Sequence, residues 1–157
     1  MTKLPPPRAI DIEILAMTLW AEAADKPVRA IEALAALVMN RLQAGRDPQA
    51  RHIAAICRAP FLFTCWNRRD PRHAALRAIP PGDAALAMCR RIARRAATGL
   101  LPDPTQGATL WHDAAHLPPW ALGQANTAEI GGLCFYRHQD LAPSRPPQRA
   151  PLRAIMA

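Results

Sequence analysis

Apolar residues recur at helical spacing through the first part of the chain. One stripe lies within residues 11–24, where Asp11 is a candidate helix cap. Its members are Ile12, Leu15, Ala16, Leu19 and Ala23. A second stretch, residues 27–42, begins at Pro27 and is followed by Gly45, which suit the start and the end of a helix. Because this helix is apolar nearly all round, we predict that it forms the buried centre of the domain.

A third long helix is predicted from Asp83 to Gly99. Its apolar stripe comprises Leu86, Cys89, Ile92 or Ala93, and Ala96. Its arginines lie mostly on the other side, which we interpret as a solvated face rather than a binding patch. A short helix is predicted at residues 52–57. Residues 59–81 show no periodicity and are interpreted as a long ordered loop, which is usually functional inside a compact domain.

Two short extended pieces follow the third helix, at residues 108–112 and 133–137, and Gly131-Gly132 marks a turn before the second. They predict a small hairpin or ribbon. Residues 1–9 are interpreted as a flexible arm, residues 10–140 as the folded domain and residues 141–157 as a loosely docked tail rich in proline and arginine. The predicted fold class is mainly α, of the α+β type.

Composition supports a helical interior. Half of the residues are hydrophobic but only eight are aromatic, so alanine, leucine and isoleucine must build the core. A net charge of +8 favours acidic partners such as the cell wall, lipid headgroups or nucleic acid, without choosing among them. The four cysteines form no C-x-x-C pair, and we expect them to be free and buried.

Glu22 has the most informative setting among the four glutamates of the chain. It lies at the edge of the apolar stripe, in the last turn of the first predicted helix. The negative helix end and partial burial both favour a protonated carboxyl, which is what a general acid requires. The alternative is an exposed helix-end glutamate that pairs with Lys26, four residues on.

Five segments, in order along the chain, give the sequence a resemblance to a known family. They are Leu19-Trp20-Ala21-Glu22-Ala23, Val38-Met39-Asn40-Arg41, Phe63-Thr64-Cys65-Trp66-Asn67, the stretch 101–109 (Leu-Pro-Asp-Pro-Thr-Gln-Gly-Ala-Thr), and Ile130-Gly131-Gly132-Leu133-Cys134-Phe135-Tyr136. Together they resemble the SleB-like cell wall hydrolases, the family of the spore-cortex-lytic catalytic domain.

This resemblance implies a lysozyme-like helical fold that cleaves the glycan strands of peptidoglycan, often as a lytic transglycosylase, with Glu22 as the catalytic glutamate. The chain departs from the family pattern at several positions. Ala24-Asp25-Lys26 stands where the family has arginine, glycine and a second glutamate, and Leu133 replaces a histidine. These differences affect expected substrate contacts more than the reaction class.

A single carboxyl suffices for transglycosylation, in which Glu22 first donates a proton and then removes one from the 6-hydroxyl of the sugar. Hydrolysis uses a second carboxylate, for which Asp70 or Asp103 are the candidates. Flat aromatic faces pack on sugar rings, and polar side chains can bind N-acetyl groups. The candidate substrate-binding residues are Trp66, Asn67, Thr109, Trp111, His112, Trp120 and Tyr136.

Other classes of function fit the sequence less well. His112 and His116 have a helical metal-ligand spacing, but Pro118-Pro119 follows and no glutamate lies between them. We therefore expect no metal and no cofactor. A basic nucleic-acid-binding module would fit the arginines, but no recognised motif accompanies them, and no stable nucleic-acid complex is expected. A wall-binding protein without activity is the third alternative.

The expected partner is the glycan strand, bound by a monomer. The start of the sequence shows no signal peptide, and no stretch approaches the ~20 apolar residues of a membrane span. We therefore expect synthesis in the cytoplasm and action on periplasmic or extracellular wall. Release through a holin pore, as for an endolysin, is one route.

Overall fold

Most of the regular structure is helical, and a small sheet follows the helices along the chain. The computed structural model describes residue 4 and residues 6–141, so the predicted tail lies almost wholly outside the described residues. Within them are five α-helices and three strands. They are α1 (Ala9–Ala23), α2 (Val28–Ala44), α3 (Ile53–Arg58), α4 (Pro71–Arg77), α5 (Ala84–Ala97), β1 (Leu110–Asp113), β2 (Ala128–Ile130) and β3 (Leu133–Tyr136). The predicted fold class is confirmed.

Helix α2 forms the centre of the core, as its apolar pattern predicts. Eight of its residues are buried: Ala30, Ile31, Ala33, Leu34, Ala35, Ala36, Leu37 and Val38. Its small alanines allow close approach of α5 and α3, while α1 packs along α5. Gly45 ends the helix in the left-handed conformation. In the part of the chain that the structure describes, no helix is long and apolar enough to cross a membrane.

The sequence predicts Asp11 as the residue that caps α1. In the structure Asp11 lies within the first turn of the helix instead. The helix begins at Ala9, and Arg8 is the residue before it. The Asp11 carboxylate accepts hydrogen bonds from the Arg8 backbone N–H (3.1 Å), the Arg8 Nε (2.9 Å) and the Ala54 backbone N–H (3.0 Å). The buried carboxylate thus ties α1 to α3. Its pKa is lowered to about 2, mainly by the Arg8 guanidinium.

The Asp11→Asn variant tests this tie through the pH dependence of stability. Since the folded-state pKa is lowered, the stabilisation is complete above about pH 4 and is lost as pH falls towards 2. We expect the variant to be less stable by about 2 kcal/mol at pH 7. Urea unfolding should show that this difference shrinks below pH 4. A difference that stays constant from pH 7 to pH 2.5 would contradict the lowered pKa.

The segment 59–81, predicted as a long ordered loop, contains helical structure. It contains a 3₁₀ turn at Thr64–Trp66 and the helix α4. Pro71 occupies the first turn of α4, and the Asp70 carboxylate accepts a hydrogen bond from the Arg72 backbone N–H. The prediction of a long ordered loop was wrong at α4, because a helix of seven residues is too short to show a clear apolar period.

The sheet has the antiparallel order β1-β3-β2, with β3 in the centre. All four residues of β3 are buried. The predicted extended pieces correspond to β1 and β3, and the Gly131-Gly132 turn joins β3 to β2, a strand that the sequence analysis missed. Only three residues long and partly exposed, β2 gives little alternation of apolar and polar residues.

Gly131 fixes the sheet against the start of α2. Its backbone has a φ of 57°, and a Cβ added there would lie 2.8 Å from the Ala30 Cβ and 3.1 Å from the Pro27 Cδ. Both the conformation and the close approach therefore favour glycine. Gly123 also has a positive φ, of 70°, but its missing Cβ would meet nothing within 4 Å.

These two glycines form a matched pair for measuring the close approach. Gly123→Ala should cost about 1–2 kcal/mol of unfolding free energy, because it carries only the backbone strain. Gly131→Ala should cost about 1–3 kcal/mol more, because Ala30 and Pro27 must also shift. Equal losses of unfolding free energy for the two variants, measured by chemical denaturation, would show that the sheet does not approach α2 closely enough here to exclude a Cβ.

The four cysteines are free and buried, as expected. Burial raises the pKa of the Cys57 thiol to about 12 and that of the Cys89 thiol to about 11. The thiols therefore act as small apolar side chains of the core.

Candidate active site

A cleft of about 410 Å³ opens where the end of α1 meets the segment before α4 and the strand β1. Seven residues line it: Glu22, Leu62, Thr64, Arg72, Trp111, Asp113 and His116. The last turn of α1 brings Glu22 to this cleft. Its side chain is only 4% exposed, whereas that of Asp113 is 35% exposed.

Two groups hold the Glu22 carboxylate in place. Its Oε1 accepts a hydrogen bond from the Cys65 backbone N–H at 3.2 Å, and its Oε2 accepts one from the Arg72 Nη1 at 2.6 Å. The alternative predicted for an exposed glutamate, a pair with Lys26, is not what the structure shows. Lys26 instead pairs with Asp113, at 3.3 Å between Nζ and Oδ2. Glu22 is thus a fixed, nearly buried carboxylate.

Arg72 connects Glu22 to two further groups. Its Nε and Nη2 donate to Asp70 at 2.9 and 2.8 Å, and Nη2 also donates to the Thr64 hydroxyl. Hydrogen bonding to this guanidinium lowers the pKa of Asp70 to about 2. Asp70 therefore stays charged and neutralises part of the cation that faces Glu22.

Neither partner of the Glu22 carboxyl was foreseen from the sequence. The Cys65 backbone N–H and the Arg72 guanidinium come from the segment between α3 and α4 and from α4 itself, far from α1 along the chain.

Arg72 is the principal residue that sequence reasoning missed. Asp70-Pro71 signals a helix start, which places Arg72 in the first turn of α4. Nothing local indicates its partner, because fifty residues separate Arg72 from Glu22. His116 and Asp113 line the cleft as well, and neither was predicted to bind substrate.

The candidate second acids differ in their surroundings. Asp70 is held by Arg72. Asp103 lies outside the set of residues that line the cleft and accepts hydrogen bonds from Asn40, Thr105 and Gly107 at 2.6–2.9 Å. These bonds hold the 101–109 stretch in its folded conformation and attach it to α2. Asp103 therefore has a structural role.

Asp113 is the acid that shares the cleft with Glu22. A hydrogen bond from the Ala115 backbone N–H lowers its pKa, and Lys26 contributes in the same direction. It is therefore charged at neutral pH.

Of the aromatic residues predicted to bind sugar, Trp111 lines the cleft. Its Nε1 donates to the Leu62 carbonyl at 3.1 Å, and its ring lies 5.8 Å from the Phe63 ring. These contacts fix the indole as one wall of the cleft.

The other predicted binding residues lie elsewhere. Trp66 donates from Nε1 to the Thr18 hydroxyl at 3.0 Å, and the Arg58 guanidinium lies 5.3 Å from its ring centroid. Asn67 is exposed at the end of the 3₁₀ turn. Thr109 lines a separate pocket, where its carbonyl accepts a hydrogen bond from Arg41 at 2.8 Å. None of the three lines the cleft with Glu22.

His112, Trp120 and Tyr136 form an aromatic cluster on the sheet, with ring centroids 5.1–5.8 Å apart. Both ring nitrogens of His112 have partners, the Tyr136 hydroxyl at 2.9 Å and the Asp113 carbonyl at 2.8 Å. His112 lies on β1 and His116 follows that strand, so the two do not share a helical face. The cluster supports the strand from which Trp111 and Asp113 reach the cleft.

Two of the segments that carry the family resemblance contact each other directly. Asn40 donates to the Ala108 carbonyl at 3.0 Å and to Asp103, while Arg41 donates to the Thr109 carbonyl. The end of α2 thereby anchors the stretch that leads into β1.

Comparison with known proteins agrees with this architecture. A family model described as Cell Wall Hydrolase matches residues 25–136. The chain belongs to the cell wall hydrolase family. It is an enzyme of that class. Among curated proteins, no sequence matches it.

Two solved structures share the fold of this cell wall hydrolase. The catalytic domain of the germination-specific lytic transglycosylase SleB from Bacillus anthracis is 18% identical, with a TM-score of 0.64 over 83% of this chain and 96% of that one. The catalytic domain of the Bacillus cereus SleB protein is 19% identical, with a TM-score of 0.66 over 87% of this chain and 98% of that one. Glu22 lies just before the matched residues 25–136, so its assignment rests on the geometry of the cleft.

A double-mutant cycle tests whether Arg72 stabilises Glu22. Arg72→Gln leaves a nearly buried carboxylate without its cation, which is costly. We expect the loss of unfolding free energy to be about 1–3 kcal/mol larger with Glu22 present than in the Glu22→Gln background.

The exposed pair Arg90 and Glu13 is the matched control. Its side chains are 45% and 38% exposed, so its coupling should stay below about 1 kcal/mol. Equal coupling energies for the two pairs would mean that the cleft does not strengthen the Glu22–Arg72 interaction.

Proposed function

We propose that this cell wall hydrolase cleaves the bond between N-acetylmuramic acid and N-acetylglucosamine in peptidoglycan, as a lytic transglycosylase with Glu22 as its only acid and base. The observation that carries the proposal is the position of the Glu22 carboxylate, fixed and nearly buried in an open cleft beside an aromatic wall. The SleB domain of Bacillus anthracis, which shares the fold, is itself described as a lytic transglycosylase.

In the first step, protonated Glu22 donates its proton to the oxygen that links the two sugars. The bond between that oxygen and C1 of the muramyl residue breaks, and positive charge develops at C1. Glu22 is left as a carboxylate. The Arg72 guanidinium and the Cys65 N–H then stabilise the charge that has just formed.

In the second step, the Glu22 carboxylate removes the proton of the muramyl 6-hydroxyl. The oxygen of that hydroxyl forms a bond with C1, which gives a 1,6-anhydromuramyl end and restores the protonated acid. No water is consumed, and one carboxyl serves both proton transfers.

The surroundings of the other acids favour this route. Asp70 is engaged by Arg72, and Asp103 holds its own loop. Hydrolysis is the second candidate, and one observation supports it: Asp113 lines the same cleft and is charged. Such a carboxylate could activate a water molecule on the other face of the sugar.

The Trp111 wall suits the apolar face of a pyranose ring. The net charge of +8 also suits an acidic polymer, since it raises the concentration of substrate near the protein. Both features would equally serve a wall-binding protein without activity, so the decisive test must detect bond cleavage.

Purified sacculi digested by wild type and by Glu22→Gln provide that test. Wild type should release anhydromuropeptides, identified by mass spectrometry. The variant should be slower by at least about 100-fold, because it can neither donate nor accept the proton. Glu129→Gln, which alters an exposed carboxyl on β2, is the matched control and should behave as wild type.

Other outcomes separate the competing functions. Products that end in reducing sugars, with loss of activity in Asp113→Asn, would replace transglycosylation by hydrolysis. Binding to sacculi without release of any product would indicate a wall-binding protein. Absence of both, together with salt-dependent binding to duplex DNA, would support the nucleic-acid alternative.

A further inference from the structure

Phe61 adopts a backbone conformation that large side chains avoid. Its φ is 73°, and the Leu62 N–H donates to the Ala59 carbonyl at 3.4 Å. Together with Pro60, these features match a type II turn, in which the position of Phe61 is normally glycine or asparagine. A left-handed backbone is disfavoured for any residue with a Cβ, and strain of this kind is concentrated at functional sites.

Burial does not compensate for this strain. Phe61 is 97% exposed, more than any other large apolar residue among those described. Its ring therefore gains almost nothing from the core. A glycine at this position would adopt the same backbone conformation without strain. It would also remove an exposed aromatic ring from the surface.

The turn lies at the edge of the cleft. Leu62, the next residue, lines the cleft together with Glu22, and its carbonyl accepts the hydrogen bond from Trp111. Phe63 is buried, and its ring centroid lies 5.8 Å from that of the same indole, with the two rings tilted by 34°. The backbone that carries Phe61 is thus anchored on its C-terminal side by two contacts with the aromatic wall.

We propose that Phe61 is a substrate-binding residue, whose exposed ring packs against the apolar face of a hexosamine in the glycan strand next to the bond that is cleaved. An aromatic ring held by a fixed turn presents a large contact area with little loss of side-chain entropy on binding. This inference rests on the proposed function for the identity of the ligand, and it adds a second aromatic surface outside the cleft to the Trp111 wall within it.

The test uses the opposite effects that Phe61→Gly should have on stability and on binding. The variant should have a higher Tm than wild type, because the backbone strain is removed. Its KM for soluble glycan chains should rise about tenfold, the size expected for one lost stacking contact, with kcat within about twofold. Phe61→Trp should keep the wild-type KM, because it keeps an aromatic face.

Leu100→Ala is the matched control, since Leu100 is also exposed, at 71%, and lies outside the set of residues that line the cleft. It should leave KM unchanged. A Phe61→Gly variant with a raised Tm and a wild-type KM would overturn the proposal, because the strain would then have no use in substrate binding.

A direct binding measurement tests the role of Phe61 independently of whether the enzyme cleaves the glycan. Affinity for the same glycan chains is measured in Glu22→Gln and in the double variant Glu22→Gln, Phe61→Gly. About tenfold weaker binding in the double variant supports the role of Phe61 even if wild type cleaves nothing. Equal binding by both proteins refutes that role, whether or not Glu22 is catalytic.

Discussion

The ion pair between Glu22 and Arg72 is the interaction on which the candidate active site depends. It joins the last turn of α1 to the first turn of α4, two elements that the chain brings together from fifty residues apart. Arg72 is in turn held by Asp70, the cap of its own helix, so the guanidinium has little freedom to leave Glu22. One cation thus positions the carboxyl, and Asp70 in turn positions the cation.

The rest of the fold positions the elements that line the cleft relative to each other. The buried helix α2 supports the side formed by β1, because Asn40 and Arg41 at its end hold the stretch that leads into β1. Gly131 allows the sheet to approach the start of the same helix closely. The strand β1, placed in this way, carries Trp111 and Asp113 to the cleft that Glu22 also lines. A core built mainly from alanine and leucine allows these elements to approach closely around a single helix.

The three long helices could be predicted from the sequence, because an apolar stripe over fourteen or more residues is a strong signal. The helix α4 and the strand β2 could not, because seven and three residues carry too little pattern. Glu22 could be singled out from its place at a helix end and in a recognisable segment. Its partner Arg72 could not, since a contact between distant segments leaves no trace in local spacing.

The same limit applies to the predicted aromatic residues. Trp66 and Trp111 look alike as candidates in the sequence. Only the fold decides that Trp66 donates a hydrogen bond to Thr18 while Trp111 lines the cleft. Phe61 went unnoticed because its significance lies in a backbone angle and an exposure that no residue pattern reports.

The central proposal is that one carboxyl performs the whole reaction and that water takes no part in it. Digestion of sacculi in water enriched in oxygen-18, with mass spectrometry of the new muramyl ends, measures this directly. Transglycosylation by Glu22 predicts anhydro ends that contain no heavy oxygen. Heavy oxygen at C1 of the new ends would contradict it, and would mean that water attacks the sugar with help from a second carboxylate.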